Sequence, residues 1–93
     1  MPTCKVGNLV RSKAGHDKEE LFFVIDIVGE YIYLVNGKTR TVSHPKKKKL
    51  KHLQCFNYQD EKLAQMKEQG ISFRDEDIRC AMKKYRRLEN GKI

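Results

Sequence analysis

Two apolar segments joined by a single turn constrain the fold most strongly. Leu21–Val28 is rich in β-branched and aromatic residues and is too short and too apolar for a surface helix, so we predict a mostly buried strand. Gly29-Glu30 turns the chain, and Tyr31–Val35 is predicted to be the next strand. The centre of this chain is therefore expected to be an antiparallel sheet.

Asn36-Gly37 follows the second of these strands directly. This dipeptide indicates a two-residue hairpin of type I′, because that turn needs positive φ at both positions. Residues 38–42 are then predicted to return as an antiparallel strand. His44-Pro45 should end that strand, since proline has no backbone N–H to donate.

Two weaker patterns extend the sheet on both sides. Residues 6–12 are predicted to form a first strand, and residues 13–20 a polar loop in which Gly15 needs positive φ or close approach of another group. Residues 50–53 are predicted to add a last short strand. Four or five short strands in about fifty residues indicate a small antiparallel barrel or rolled sheet.

The second half of the chain has the pattern of two helices. After a connection over residues 54–59, residues 60–69 are predicted to be helical, with Gly70 as the C-cap. A second helix is predicted over residues 73–88, preceded by a capping-box-like Ser72 and Asp75. The predicted class is thus α+β, with a barrel over residues 1–53 and a helical extension over 54–93 packed on it.

An apolar stripe recurs along the second predicted helix. It consists of Ile78, Ala81 or Met82, Tyr85 and Leu88, at spacings of three and four residues. Because helices in proteins are stabilised mainly by tertiary packing, we expect this stripe to cover the barrel or the other helix. The alternative is a helix that binds a protein partner. Cys80, beside the stripe, is expected to be a small buried hydrophobe.

Charge limits the class of partner. The 93 residues carry a net charge of +8 at pH 7, which favours an anion such as RNA, DNA or an acidic membrane surface. Residues 1–53 hold 11 Lys/Arg against 5 Asp/Glu, whereas residues 54–93 hold 9 against 7. The binding face is therefore expected in the first half. Its densest part is residues 45–52, with five lysines and one histidine behind a proline.

The first half also resembles a known family. Residues 7–17, followed by residues 22–25, resemble the KOW motif, in which a strand, a glycine-containing loop and a second strand open a Src-homology-three-like (SH3-like) barrel. The continuation of the chain resembles small bacterial KOW-domain proteins, which are related to a ribosomal protein of the archaeal and eukaryotic large subunit. This resemblance rests on residues 33–40, the run Pro45-Lys46-Lys47-Lys48-Lys49 and Lys51-His52-Leu53. The resemblance implies binding to RNA, in particular ribosomal RNA.

The predicted function is a cytoplasmic RNA-binding protein that contacts ribosomal RNA and is associated with the ribosome or its assembly. The expected mode is recognition of shape and backbone with weak sequence preference. Ribosomal proteins are further candidate partners, and no membrane or small-molecule substrate is expected. The candidate RNA-binding residues are Arg11, Lys13, His16, Lys38, Arg40, Lys46, Lys47, Lys48, Lys49, Lys51 and His52.

Other functions have weaker support. A protein-interaction adaptor of the KOW type, acting in translation or transcription through its C-terminal helix, is the main alternative, and a nuclear localisation signal over residues 45–51 is a second. Tyr31, Tyr33 and Phe22 are expected to be barrel residues rather than an aromatic cage. No CxxC or HxxxH spacing indicates a zinc site. No nucleophile beside a base, carboxylate pair or phosphate loop indicates an enzyme, and no cofactor is expected.

The cysteines and the hydropathy pattern bear on the compartment. Cys4, Cys55 and Cys80 are odd in number and widely spaced, which favours a reducing environment. No signal-peptide pattern is present, and no apolar run approaches the roughly 20 residues of a membrane span. We therefore expect a cytoplasmic protein.

Overall fold

The computed structural model describes residues 4–90. It contains a five-stranded antiparallel sheet and two helices, so the predicted α+β class is confirmed. In chain order the elements are β1 (Asn8–Ser12), β2 (Leu21–Val28), β3 (Tyr31–Val35), β4 (Lys46–Lys49), a 3-10 turn (Leu50–His52), β5 (Leu53–Gln59), α1 (Glu61–Glu68) and α2 (Asp75–Asn90). The predicted second and third strands have the observed bounds.

The sheet has the strand order β4-β3-β2-β1-β5. Two observations indicate that it is coiled rather than flat. β4 and β5 are its two edges, which in a flat sheet would lie about 19 Å apart. Only the three-residue 3-10 turn joins them, and that length of chain spans at most about 14 Å. In agreement, the Lys48 ammonium on β4 contacts Ser12 on β1, although β3 and β2 lie between these strands in the sheet. The pairing recorded for residues 4–90 leaves the sheet open between β4 and β5.

Both faces of the sheet are packed. The helix-covered face forms a core of Leu9, Phe23, Ile25, Val35, Leu63, Met66, Ile78, Ala81 and Met82. The opposite face forms a second core of Val10, Phe22, Val24, Ile32, Leu34 and Leu53. Neighbouring residues of β1 and β2 contribute to different cores because side chains alternate along a strand. The continuous apolar composition of β2 follows from this burial on both sides.

The block of four lysines, predicted at a barrel rim, is itself the edge strand β4. Lysine has a low intrinsic preference for strands, which is why the sequence pattern did not indicate one. At an edge, however, lysines are well tolerated, because their charge hinders pairing with another chain. β4 pairs with β3 alone, with Lys47 opposite Tyr33 and Lys49 opposite Tyr31.

Three further expectations about strands were wrong. Residues 50–53, expected to be a last short strand, are the 3-10 turn and the first residue of β5. Residues 38–42 do not return as a strand: they belong to a loop, in which Thr41 and His44 form an isolated bridge. Residues 54–59, expected to be a connection, lie in β5, which pairs with β1. The pairing of β5 joins positions more than forty residues apart in the chain, and local patterns carry no information on such contacts.

Asn36-Gly37 does not form the predicted type I′ turn. Gly37 has φ of +80°, but Asn36 is not at positive φ; within residues 4–90, Glu19 is the only non-glycine residue that is. The Asn36 side chain instead accepts hydrogen bonds from the backbone N–H groups of Lys38 and Arg40, both at 2.9 Å. The signal therefore marks a wider loop closed by an asparagine side chain.

Both helices pack on one face of the sheet. Asp60 caps α1 by accepting a hydrogen bond from Leu63 N at 3.0 Å. Along α2, Ile78, Ala81 and Met82 are buried in the core shared with the sheet, whereas Leu88 is exposed. Most of the apolar stripe is therefore covered by the protein itself.

A disulfide joins Cys4 to Cys55 in β5, a pairing that the spacing of the cysteines does not predict. It is at odds with the reducing environment that the number and spacing of the cysteines favoured. Cys80 is a free and exposed thiol, so the expectation that it is buried was wrong. It lies on the outer side of α2, whereas Ala81 and Met82 face the core.

In the part of the chain that is described, neither helix has the length and apolar character needed to cross a bilayer.

Candidate nucleic-acid interface

Alternate lysines of β4 point to opposite faces of the sheet. Lys46 and Lys48 lie opposite Leu34 and Ile32 of β3 and share the face of those buried residues. Lys47 and Lys49 lie opposite Tyr33 and Tyr31 and share the face on which the helices pack. The four lysines therefore have two different environments.

The first pair is held by internal contacts. Lys48 Nζ donates hydrogen bonds to Asp17 Oδ1 at 2.8 Å, Ser12 Oγ at 2.7 Å and Ala14 O at 2.6 Å. Lys46 Nζ lies 3.6 Å from Asp17 Oδ2. Because a lysine ammonium has three N–H donors, these contacts satisfy Lys48 completely. This pair fastens the first loop, residues 13–20, onto β4.

Asp17 is the centre of this arrangement and is only 9% exposed. Burial acts to raise the pKa of its carboxyl group, but hydrogen bonds from Lys48 and Ser12 and the charges of Lys48 and Lys46 outweigh burial. The pKa of Asp17 is therefore lower than its ordinary value. A charged Asp17 neutralises part of the lysine block from within.

The second pair contacts an aromatic ring. Lys47 Nζ lies 4.9 Å and Lys49 Nζ 5.7 Å from the centre of the Tyr31 ring, within the range of a cation–π contact. The ring is 37% exposed. Lys49 also lies 3.2 Å from Glu30 Oε1, and the hydrogen bond and charge of Glu30 raise the pKa of Lys49 above its ordinary value.

These groups line a shallow depression of about 420 Å³. We name its exposed side chains the lysine–tyrosine surface: Tyr31, Lys47, Lys49, Lys51 and His52. The first loop forms the other wall through Ala14 and Gly15, and it is fixed there because Lys13 N donates to His52 O at 2.9 Å. Lys13 and His16 are exposed on the same loop.

The remaining predicted residues lie elsewhere. Arg11 lies 5.6 Å above the Phe56 ring of β5, contacts Gln54 and is 3.6 Å from Glu19. Arg40 donates its backbone N–H to Asn36 and closes the loop after β3. Lys38, on that loop, lines a separate groove beside α2. The structure thus brings the first loop, β4 and the 3-10 turn together, but not Arg11 or Lys38 with them.

Sequence reasoning missed one cationic cluster. Arg79, Lys83 and Arg86 of α2 line the groove that contains Lys38. Their spacing of four and three residues places them on one side of a helix, and this signal could have identified them.

No protein-family model matches this chain, and no curated protein matches it in sequence. Among residues 4–90, no group of three or more His, Cys, Asp or Glu side chains is arranged to hold a metal ion.

Proposed function

We propose that this protein binds RNA through the lysine–tyrosine surface. The observation that carries the proposal is the exposed Tyr31 ring in contact with the ammonium groups of Lys47 and Lys49. Ammonium groups bind backbone phosphates, and an aromatic ring stacks on an unpaired base. Together they suit a segment of RNA whose bases are unstacked, such as a loop or a bulge.

Lys46 and Lys48 contact groups of the protein itself, which leaves fewer lysines free to bind RNA. Lys48 keeps its three donors on protein groups, so it serves to hold the surface in place. Lys47 and Lys51 have no carboxylate partner among the described residues, and Lys49 has Glu30. Lys47 and Lys51 are therefore the lysines most available to phosphates, and Lys13, His16 and His52 are close by in the fold.

We further propose that the sheet is an SH3-like barrel of the KOW type. β1 pairs with both β2 and β5, a 3-10 turn joins β4 to β5, and the sheet coils enough to bring β4 against the end of β1. These features agree with the resemblance of residues 7–17 and 45–49 to KOW proteins. On that resemblance, ribosomal RNA is the proposed target, with the ribosome or its assembly in the cytoplasm as the setting and ribosomal proteins as neighbours.

The proposed role is binding without catalysis. The alternative of an adaptor acting through the stripe of α2 is not favoured, because Ile78 and Met82 of that stripe are buried on the sheet. A partner that docks there would first have to displace the helix from its own core.

A salt titration of RNA affinity tests the proposal. The variant K47Q/K51Q removes two charges from the surface, and K67Q/R74Q removes two exposed charges that line neither this depression nor the groove beside α2. With a fluorescein-labelled single-stranded RNA, we expect K47Q/K51Q to lower the slope of log affinity against log salt by about 1.4, at about 0.7 per lost phosphate contact. An unchanged slope in K47Q/K51Q, or an equal loss in the control, would overturn the proposal.

The stacking contact has its own test. Tyr31→Leu keeps an apolar side chain at position 31 but removes the aromatic ring. Because one base–aromatic stack contributes about 1–3 kcal/mol, affinity for the unpaired RNA should fall at least about fivefold while the salt slope stays constant. Equal affinity of Tyr31→Leu and the wild-type protein would exclude stacking on this ring.

A further inference from the structure

A second cationic surface lies between α2 and the loop after β3. It is a groove of about 340 Å³ with Leu21 and Met82 as apolar lining and four cations around it: Lys38, Arg79, Lys83 and Arg86. Glu20 is the one acidic residue that lines it, and Asn36 and Thr39 add neutral polar groups. Cations thus outnumber carboxylates four to one, so the groove is expected to attract anions.

One of these cations is held in position by the fold. Arg79 Nη1 donates a hydrogen bond to Gly37 O at 2.9 Å, which ties the guanidinium to the loop. The loop approaches so closely that a Cβ on Gly37 would lie 2.8 Å from Arg79 Cγ. A guanidinium has five N–H donors in a planar fork, so the remaining donors of Arg79 are left for a ligand.

The three cations of α2 form a row. Arg79, Lys83 and Arg86 follow at intervals of four and three residues, which places them on one side of the helix over about 10 Å of its axis. That length exceeds the size of a single phosphate group. An extended polyanion fits such a row better than an isolated small anion does.

The pairing of charges distinguishes these cations from several others of the helical region. Lys62, Lys67, Arg74 and Lys84 of the helical region each lie within 4 Å of a carboxylate. Within residues 4–90, Lys38, Lys83 and Arg86 lie within that distance of none. Like charges kept together without internal neutralisation repel one another, and a bound anion removes that repulsion.

We propose that this groove is a second phosphate-binding surface, which holds the backbone of an RNA segment other than the one on the lysine–tyrosine surface. The inference rests on the proposed RNA-binding function and deepens it: the preferred target presents two backbone segments, as an RNA stem beside an unpaired loop does. Arg79, Lys83 and Arg86 contact phosphates, and the lining has no aromatic ring on which a base could stack.

The test compares two RNAs and three variants by fluorescence anisotropy. The probes are a single-stranded RNA of about eight nucleotides and a hairpin RNA with a stem and an unpaired loop of the same eight nucleotides. K83Q/R86Q removes one lysine and one arginine from the groove, and K67Q/R74Q removes the same two types of charge elsewhere. K47Q/K51Q reports on the lysine–tyrosine surface.

For K83Q/R86Q we expect the affinity for the short RNA to stay within twofold of wild type. The affinity for the hairpin should fall about tenfold at 0.1 M salt, and the salt slope by about 1.5, because two phosphate contacts to the stem are lost. Lys38→Gln, on the loop rather than the helix, should lower the hairpin slope by about 0.8 and gives a check that does not depend on α2.

The experiment distinguishes failure of the second surface from failure of the proposed function. If K83Q/R86Q matches the control on both RNAs while K47Q/K51Q weakens both, the second surface is excluded and the proposed function stands. If K83Q/R86Q weakens the hairpin while K47Q/K51Q matches the control, the lysine–tyrosine surface is excluded instead. If poly-glutamate displaces the hairpin from the groove as well as an RNA competitor of equal charge does, the groove is a general polyanion site and the assignment to RNA is wrong.

Discussion

Lys48 Nζ and Asp17 Oδ1 form a hydrogen-bonded ion pair of 2.8 Å between the edge strand β4 and the first loop. Both side chains are 11% exposed, so this pair is much less screened by solvent than the other lysine contacts of β4. The pair fastens the first loop onto the edge strand. It links the fold of this protein to its candidate binding surface.

Loss of this ion pair should destabilise the fold. Lys48→Met leaves the buried Asp17 carboxylate with fewer partners, and we expect a loss of about 1–3 kcal/mol in the free energy of unfolding, measured in urea. Lys47→Met, one residue away but exposed, should change it by less than about 0.5 kcal/mol. In the double variant Asp17→Asn/Lys48→Met, the loss should be smaller than the sum of the single losses by about 1 kcal/mol. Additive losses would show that the two residues do not interact.

Stability should depend on acid pH through Asp17. Its pKa in the folded protein is below the ordinary value because Lys48, Ser12 and Lys46 outweigh the effect of burial. A lowered folded pKa means that the contribution is present above the unfolded pKa of about 3.9 and is lost as pH falls through the folded pKa. Urea unfolding between pH 6 and pH 3 should therefore show a steeper loss for wild type than for Asp17→Asn. If the free energies of unfolding of wild type and Asp17→Asn fall in parallel as pH is lowered, Asp17 is not the cause of the acid dependence.

Gly37 should tolerate alanine worse than Gly29 does. Both glycines have positive φ, +80° and +60°, so alanine is strained at either position. At Gly37 a Cβ would also meet Arg79 Cγ at 2.8 Å and Asp75 O at 3.1 Å, whereas at Gly29 nothing lies within 4 Å. We expect Gly37→Ala to lower the free energy of unfolding by about 1 kcal/mol more than Gly29→Ala. Equal losses would show that α2 does not approach the loop this closely.

The disulfide between Cys4 and Cys55 should contribute to stability. It closes a loop with a sequence separation of 51, for which loop-closure entropy predicts about 4 kcal/mol. Cys4→Ser should lower the free energy of unfolding and make it independent of added reductant, whereas Cys80→Ser should change neither. Alkylation followed by mass spectrometry of the unreduced protein should modify Cys80 alone. Modification of all three cysteines would contradict the pairing.

Local patterns were enough for part of this architecture. β2 and β3 have the bounds that their apolar runs predict, and both helices begin within about two residues of the predicted positions. These elements are specified by side-chain periodicity and caps, which act over a few residues. β4 was missed because a run of lysines has no such pattern, and its pairing with the tyrosine-bearing β3 is what makes it a strand.

The candidate binding site could likewise be predicted only in part from the sequence. The sequence shows directly that residues 46–51 carry a high density of positive charge. This charge was enough to predict a preference for an anionic partner. The sequence did not indicate which of these lysines remain free to bind an anion. That depends on Asp17, which contacts β4 from a loop about thirty residues earlier in the chain. The groove formed by Lys38 with Arg79, Lys83 and Arg86 likewise exists only because the loop after β3 packs on α2.

Charge, the central strands β2 and β3 and the two helices thus follow from the order of the residues, since each depends on groups close together in the chain. The coiling of the sheet, the pairing of β5 with β1 and the separation of the cations into two surfaces depend on contacts between distant residues. Such contacts form only when burial and charge pairing are satisfied across the whole molecule at once. For that reason Lys48 supports the structure while Lys47, its neighbour in sequence, faces solvent.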